Sequence, residues 1–274
     1  MMQRTRARLW LYIVLTIMLL VVMTPFIWMV LGSLKGQGEL LRVPPTWLPE
    51  NPSLDNFSRL FDRLTFGRYF FNSTFVAVCV TAGNLLFCSM LGYALAHLNF
   101  PGKKIIFGAV MGTLMIPGLV VFIPQFVLVV NLGLADSLAA LILPFLVGPF
   151  GVFLMRQFFL GLPRDLLEAG RIDGASELGI FFRVYLPLAG PAMATLGILT
   201  FLASWNNFLW PLVVAATERT YTLPVALALV STGQNQTDYG LLLAGACVVV
   251  LPILLVFLFF QRFFIEGIAS TGIK

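Results

Sequence analysis

The sequence predicts an all-α integral membrane protein with six transmembrane helices. Three observations carry that prediction. Hydrophobic residues make up 59% of the chain and charged residues 11%, against a soluble average of roughly 45–50% and 25%, and mean hydropathy is +0.95. Six apolar runs lie at about 10–33, 70–96, 105–130, 138–155, 189–214 and 241–261, each long enough to cross ~30 Å of hydrocarbon. None of the six carries Asp, Glu, Lys or Arg. The whole of 1–274 reads as one transmembrane domain.

The first run follows Arg4, Arg6 and Arg8. It is too long for a signal-peptide core and no small-residue cleavage site follows it, so it reads as a retained first span. If the N-terminus is cytoplasmic, eleven basic residues fall inside, including Lys103, Lys104, Arg156, Arg164, Arg171, Arg183, Arg262 and Lys274, and six fall outside. Five of those six lie in one long loop, so the short loops place both termini in the cytoplasm. That long loop, 34–69, with Pro44-Pro45 and alternating aromatic residues, reads as an ordered external lobe.

Spans three to six are punctuated by Pro117, Pro124, Pro144, Gly148, Pro149, Gly151, Pro211 and Pro252. Such breaks free backbone groups that a membrane helix must otherwise satisfy itself. They read either as hinges between two packings or as static kinks. The polar residues within the spans are few. Asn84 in span two and Gln125 in span three are either pathway groups or interhelical hydrogen bonds. Span five ends Ser204-Trp205-Asn206-Asn207-Phe208-Leu209-Trp210-Pro211. Its tryptophans read as interfacial anchors, although aromatic faces also stack on sugar rings. Adjacent residues sit ~100° apart on a helix, so one of Asn206 and Asn207 is expected to face protein or a wet path. Asn84, Gln125, Trp205, Asn206 and Asn207 are the candidate pathway residues.

Between spans four and five, 156–188 is a charged, structured loop. Leu166 to Asp173 reads as a short helix capped by Asp165 and stopped at Gly174, where a positive φ is expected. Ser176 caps a second helix, which Pro187 ends. An isolated helix shorter than ~12 residues is marginal in water, so Leu166, Leu167, Ala169 and Ile172 need an apolar surface. A partner protein is the expected source.

Several function classes are excluded. Without ionisable groups in the membrane there is no carrier for a coupling proton or sodium ion. The residue five before Gly102-Lys103 is His97, not Gly, so no phosphate-binding loop exists and the chain does not hydrolyse ATP itself. His97, the only histidine, reads as a cap at the inner end of span two rather than a proton relay. No metal-ligand spacing and no nucleophile with its base appears, so an enzyme is not expected. The net charge of +5 follows from the inside bias and argues for no nucleic acid. Cys79, Cys88 and Cys247 sit in spans and read as small apolar core residues.

Glu168-Ala169-Gly170, Gly174 and Val184-x-Leu186-Pro187 resemble the cytoplasmic-loop signature of importer-type ATP-binding-cassette permeases: Glu-Ala-Ala, three residues, Gly, nine residues, Ile, x, Leu-Pro. Beyond the loop the chain is similar to the carbohydrate branch, in particular the maltose-type second inner-membrane subunit. The match is dense from Phe100-Pro101-Gly102-Lys103 through Met115-Ile116-Pro117-Gly118, Leu141-Ile142-Leu143-Pro144, Arg156-Gln157-Phe158-Phe159, Ile172-Asp173-Gly174-Ala175-Ser176 and Thr222-Leu223-Pro224-Val225 to Gln261-Arg262. The resemblance implies a type I importer fold in a bacterial or archaeal plasma (inner) membrane. It implies a second permease subunit of a different chain, two cytoplasmic ATPase subunits that bind the ATP, and an extracytoplasmic sugar-binding protein. The cargo it implies is a sugar or related polyol. It further implies that Glu168, Ala169, Gly170, Asp173, Gly174, Leu178, Leu186 and Pro187 form the ATPase-coupling loop. Gly170 departs from the second Ala of the consensus, which is expected to weaken the helix by roughly 0.5–1 kcal/mol. The competing readings are a secondary transporter or channel for a small solute, which needs no docking loop, and a membrane-bound enzyme, which needs a reactive cluster.

Overall fold

The computed structural model describes the backbone of residues 2–63, 65–231 and 237–271 and the side chains of 10–62, 65–229, 231 and 237–258. The side chains of Arg4, Arg6, Arg8, Gln261 and Arg262, and all of Lys274, lie outside the described residues.

The chain folds into helices throughout. In order they are α1 Met2–Ser33, α2 Gln37–Leu40, α3 Asp55–Arg63, α4 Phe66–Gly83, α5 Ser89–His97, α6 Lys103–Met115, α7 Gly118–Asn131, α8 Leu138–Ile142, α9 Pro149–Leu160, α10 Asp165–Ile172, α11 Glu177–Ile180, α12 Leu186–Leu188, α13 Gly190–Trp205, α14 Leu209–Val214, α15 Leu223–Ser231 and α16 Tyr239–Thr271. Two π-helical turns, Asn84–Cys88 and Phe181–Tyr185, and a 3₁₀ turn, Leu143–Phe145, join neighbouring helices. Among the described residues four stretches are long and apolar enough to cross a membrane: Trp10–Ser33, Phe66–His97, Leu138–Leu160 and Tyr239–Leu258. Two bent pairs, Lys103–Met115 with Gly118–Asn131 at 107° and Glu177–Leu188 with Gly190–Trp205 at 81°, make six if each is one span. This is the all-α membrane architecture the composition predicts.

The bends have local causes. Pro117 bars the helical region to Ile116, which is extended with ψ 121°. In span four, Gly148 is extended and Pro149 opens α9 at its first turn, where a missing N–H costs nothing. In place of one helix over 189–214, α13 stops at Trp205 and α14 starts anew at Leu209. The Asn206 side-chain amide donates to Leu202 O at 3.0 Å, a carbonyl of that helix end that also accepts Asn206 N at 3.1 Å. Pro187, expected to end a helix, sits inside α12 instead. The π turn ahead of it widens the ladder where the proline offers no donor, and the break falls at Ala189.

The chain divides into two compact units, Met1–Phe66 with Ala226–Pro252, and Gly67–Val225 with Ile253–Lys274. In the first, Asn56 Nδ2 donates to Ser33 O and Lys35 O, both at 2.8 Å, and Arg59 pairs with Asp238. Asp238 Oδ1 in turn accepts from Leu241 N at 3.1 Å, capping α16. In the second, α5 and α9 approach almost to backbone contact. A Cβ on Gly92 would lie 2.8 Å from Met155 Cβ and 2.9 Å from Arg156 N, which is the small-residue route to close helix packing in membranes. Around that contact lies a core of Leu95, Met155, Phe159, Leu167, Ile180 and Tyr185.

Candidate functional site

The segment 163–188 is built from local signals. Asp165 is the first helical residue of α10 and not its cap, a position held by Arg164 without a side-chain bond. With Glu168 it puts negative charge in the first turn, and Arg171 puts positive charge in the last, so both ends complement the helix dipole. The C-terminus closes with Gly174 N donating to Arg171 O at 3.1 Å and Ala175 N to Gly170 O at 3.0 Å, around Gly174 at φ +76°. These are the two bonds of a Schellman cap, with Asp173 as the capping residue. Ser176 Oγ then accepts from Gly179 N at 3.1 Å to start α11.

The segment has two faces. Leu167 and Ile180 are buried and Leu166, Val184 and Leu186 pack against the same core. Of the four residues expected to need a partner, Leu166 and Leu167 are therefore covered by the chain itself. Ile172 is 86% exposed and Leu178 59%, and with exposed Glu168, Ala169, Asp173, Gly174 and Pro187 they form the outward face. Beside it an open groove of about 580 Å³ is lined by Gly174, Ser176, Leu178, Phe182 and Arg183. Gly170 has a reason within the chain: a Cβ there would lie 2.9 Å from Ile180 Cγ1. The missing methyl lets α10 sit on α11, a use that helix propensity does not reveal.

Glu177 was not singled out by any motif. Its carboxylate accepts from Arg171 Nε at 2.8 Å on one side and from Tyr93 Oη at 3.3 Å on the other. Tyr185 Oη donates to Pro163 O at 3.3 Å. Tyr93, His97, Phe159, Phe181 and Tyr185 form an aromatic box, with His97 and Tyr185 rings 4.6 Å apart. The segment is thus tied to the end of span two. His97 is not the expected cap: it is buried, with Nε2 3.0 Å from Phe159 O. The capping falls to Lys103, whose Nζ donates to Ala96 O at 3.2 Å and Leu98 O at 2.8 Å.

The second constellation surrounds a cavity of about 540 Å³ lined by Asn84, Thr200, Ser204 and Asn207 among Phe145 and Phe150. Asn84 is fully engaged. Its Nδ2 donates to Phe145 O at 2.6 Å and Val80 O at 3.0 Å, and its Oδ1 accepts from Gly148 N at 3.0 Å. It fills the backbone gap opened by Pro149, which has no N–H for Phe145 O, while Ala140 O, left free by Pro144, accepts from Trp210 Nε1. Asn207 is half-buried on the cavity wall, whereas Asn206 is exposed and turned to its own helix end. Gln125 is half-buried on α7, away from the cavity lining. The tryptophans are buried rather than exposed anchors. Trp205 stacks on Phe201 at 5.8 Å, and Trp210 Nε1 donates to Ala140 O at 3.0 Å.

One further tie escaped the sequence reading. Asp136, at φ +54°, accepts hydrogen bonds from Thr220 Oγ1, Thr217 Oγ1 and the amides of Ala216 and Thr217. The Thr220 bond foremost holds its carboxyl at about 2, and the carboxylate binds the 132–137 loop to the 214–220 loop.

Comparison with known proteins shows the family. Residues 89–268 match the family model described as binding-protein-dependent transport system inner membrane component. The chain is 44% identical over 254 residues to the arabinooligosaccharides transport system permease protein AraQ of Bacillus subtilis, covering 91% of this chain and 90% of that one. It is 35% identical to the diacetylchitobiose uptake system permease protein NgcG of Streptomyces coelicolor, covering 92% and 84%. Its fold matches a chain of a bacterial ABC transporter involved in import of the acidic polysaccharide alginate, with a TM-score of 0.84, 24% identity and coverage of 95% and 97%. The chain belongs to the family of binding-protein-dependent transport system inner membrane components, the permeases of ATP-binding-cassette importers, which work with a second permease subunit, ATPase subunits and a binding protein.

Proposed function

We propose that the chain moves a neutral sugar, oligosaccharide or related polyol inward through the cavity beside Asn207, driven by ATPases docked on the outward face of 163–187. The observation that carries the substrate class is the cavity wall: amide and hydroxyl groups of Asn207, Thr200 and Ser204 stand beside the rings of Phe145 and Phe150. Amides and hydroxyls bind sugar hydroxyls, and aromatic faces cover the apolar side of a sugar ring. None of the lining residues is charged, which favours a neutral cargo over a phosphorylated one. The names of two relatives, an arabinooligosaccharide and a diacetylchitobiose permease, support a sugar cargo, while others are named for sn-glycerol-3-phosphate and sulfoquinovosyl glycerol, so neutrality rests on the cavity wall alone. The second permease is a different chain in this reading. ATP binds only the partner ATPases, and both termini face the cytoplasm.

Cysteine at Asn207 and at Asn206, probed with a water-soluble thiol reagent in the assembled transporter, tests the path. Asn207→Cys is expected to label in at least one transport state and to be protected by the cargo. Replacing both asparagines by Leu is expected to lower uptake or alter sugar preference at unchanged protein level, since an interhelical hydrogen bond contributes only ~1 kcal/mol. Wild-type uptake by the double variant, with no labelling at either position, places the path elsewhere.

A further inference from the structure

We infer that Glu177 is a positioning residue that links the docking face of 163–187 to one side of the cavity. It is the first residue of α11 and divides its carboxylate between two other elements. Oε1 accepts from Arg171 Nε at 2.8 Å and pairs with Arg171 Nη2 at 2.7 Å, which holds α10. Oε2 accepts from Tyr93 Oη at 3.3 Å, which holds α5. Among the described residues this is the one side-chain hydrogen bond from 163–188 to span two. Bonds to a charged acceptor are roughly twice as strong as neutral ones. The Tyr93 ring is 3% exposed and packed among Phe159, Phe181 and Tyr185, so its hydroxyl is fixed at Glu177.

What Tyr93 is attached to gives the link its reach. Next to it, Gly92 has no room for a methyl against Met155 and Arg156, so α5 and α9 move as one body. Asn84 lies nine positions before Tyr93 on span two, ~13–14 Å away at 1.5 Å per residue. There the body is tied again, Asn84 Oδ1 accepting from Gly148 N ahead of α9. Asn84 and Phe150 of this body form one side of the cavity, and Thr200 and Ser204 of α13 form the other. The two sides are joined through the 81° bend between Glu177–Leu188 and Gly190–Trp205. On the body α13 packs through side chains, Leu196 against Gly151 among them, a contact that can shift where a backbone contact cannot. A push on the outward face of α10 is therefore passed through Arg171, Glu177 and Tyr93 to the Asn84 side of the cavity, and its width changes.

This inference rests on 163–187 being the docking face and on the cavity being the path. The test uses the transporter assembled with its second permease and ATPases in nanodiscs. A water-soluble maleimide reports on Asn207→Cys, with labelling read on this chain after subtraction of the chain without that cysteine. The labelling rate is compared without nucleotide and with ATP and vanadate, and without further change it is expected to differ several-fold between the two. Glu177→Ala, Tyr93→Phe and Arg171→Gln should each bring the two rates together while the ATPase copurifies as before. Arg171 is half exposed, so its variant tests the link even where a change at buried Tyr93 impairs folding. Glu177→Gln keeps an acceptor for Arg171 and a partner for Tyr93 and should retain part of the difference. Combining Glu177→Ala with Tyr93→Phe should do no more than either alone, since both cut one link. An undiminished difference in the single variants overturns the inference and leaves the docking face standing. Loss of the ATPase from them also overturns it, because Glu177 would then serve docking itself. Additive losses overturn it as well, since the two side chains would act apart. Equal labelling in both states with Glu177, Tyr93 and Arg171 all in place would put the fault in the cavity as the path, and the inference falls with it.

Discussion

From Pro163 to Leu188 most polar ties are short in sequence: Ser176 to Gly179, Gly174 to Arg171, Arg171 to Glu177. Around Asn84 they are long, reaching Phe145 O and Gly148 N more than sixty residues away. Both regions repair broken helices. The first does it with caps in or near water, where an open backbone group finds solvent, and so it can be rearranged when a partner docks. The second does it with one buried amide, where an open group finds nothing. Rigidity is therefore expected around the cavity and compliance at the docking face.

The largest effect should come from Asn84→Leu. It removes the acceptor of Gly148 N and the donor to Phe145 O at once. Each stranded backbone group costs about 1–3 kcal/mol, so a loss of about 2–6 kcal/mol is expected, read as a lower midpoint of thermal unfolding in mild detergent. An unchanged midpoint would mean that water or a rearranged helix end replaces the amide, and the contrast between the two regions would dissolve.

Gly174→Leu should act in the opposite way, leaving the spans intact. A left-handed residue other than Gly costs about 1–2 kcal/mol, and nothing lies within 4 Å of the added Cβ, so the strain is conformational and not steric. Normal membrane insertion with loss of ATPase copurification and of ATP-driven uptake is the expected result. Normal import by this variant would remove the docking role of the segment.

The same contrast decides what the sequence revealed. Gly174 and Ser176 were legible because caps are short-range chemistry with fixed spacing, whereas Asp165, expected to cap α10, is its first helical residue. Apolar runs were legible because span length is set by the bilayer, but the 107° bend at Pro117 and the break between Trp205 and Leu209 were not. Asn84 could be named as polar but not assigned, since its partners depend on where α9 is laid against α5. Lys103 takes the capping role read for His97 for a like reason. Either can cap a helix, and only the packing of Tyr185 and Phe159 shows which is buried. Glu177 and Asp136 carry no motif, and Tyr93, which Glu177 accepts from, and the Ala216–Thr220 partners of Asp136 come from segments far away in sequence.

Gly170 falls between the two regimes, because its contact is ten residues away but tertiary. Propensity alone favours Gly170→Ala by up to about 1 kcal/mol. The clash with buried Ile180, 2.9 Å from the new Cβ, opposes it. We expect the clash to prevail, with a net loss of about 1 kcal/mol and weaker retention of the ATPase on purification. A double-mutant cycle with Ile180→Ala should then be strongly non-additive, the alanine at 180 relieving most of the defect. Additive effects would return Gly170 to a matter of helix propensity.

The smallest expected effect belongs to Asp136, a long-range tie like Asn84 but set in loops outside the spans. Its folded-state carboxyl titrates at about 2, below the ordinary 3.8, with the Thr220 hydroxyl as the leading cause. A depressed carboxyl stabilises the fold above its unfolded value and loses that contribution as pH falls through the folded one. Protection of the Ala216 and Thr217 amides against hydrogen exchange, corrected for the intrinsic rate, should therefore be constant above pH ~4 and decline between about 4 and 2. Asp136→Asn keeps a residue that tolerates the +54° φ and one acceptor oxygen. It should give lower protection that no longer changes with pH in that window, while the midpoint of global unfolding barely moves. A global midpoint that drops as far as with Asn84→Leu would show that long-range ties matter equally in loops and in spans, and that burial is not what separates the two regions.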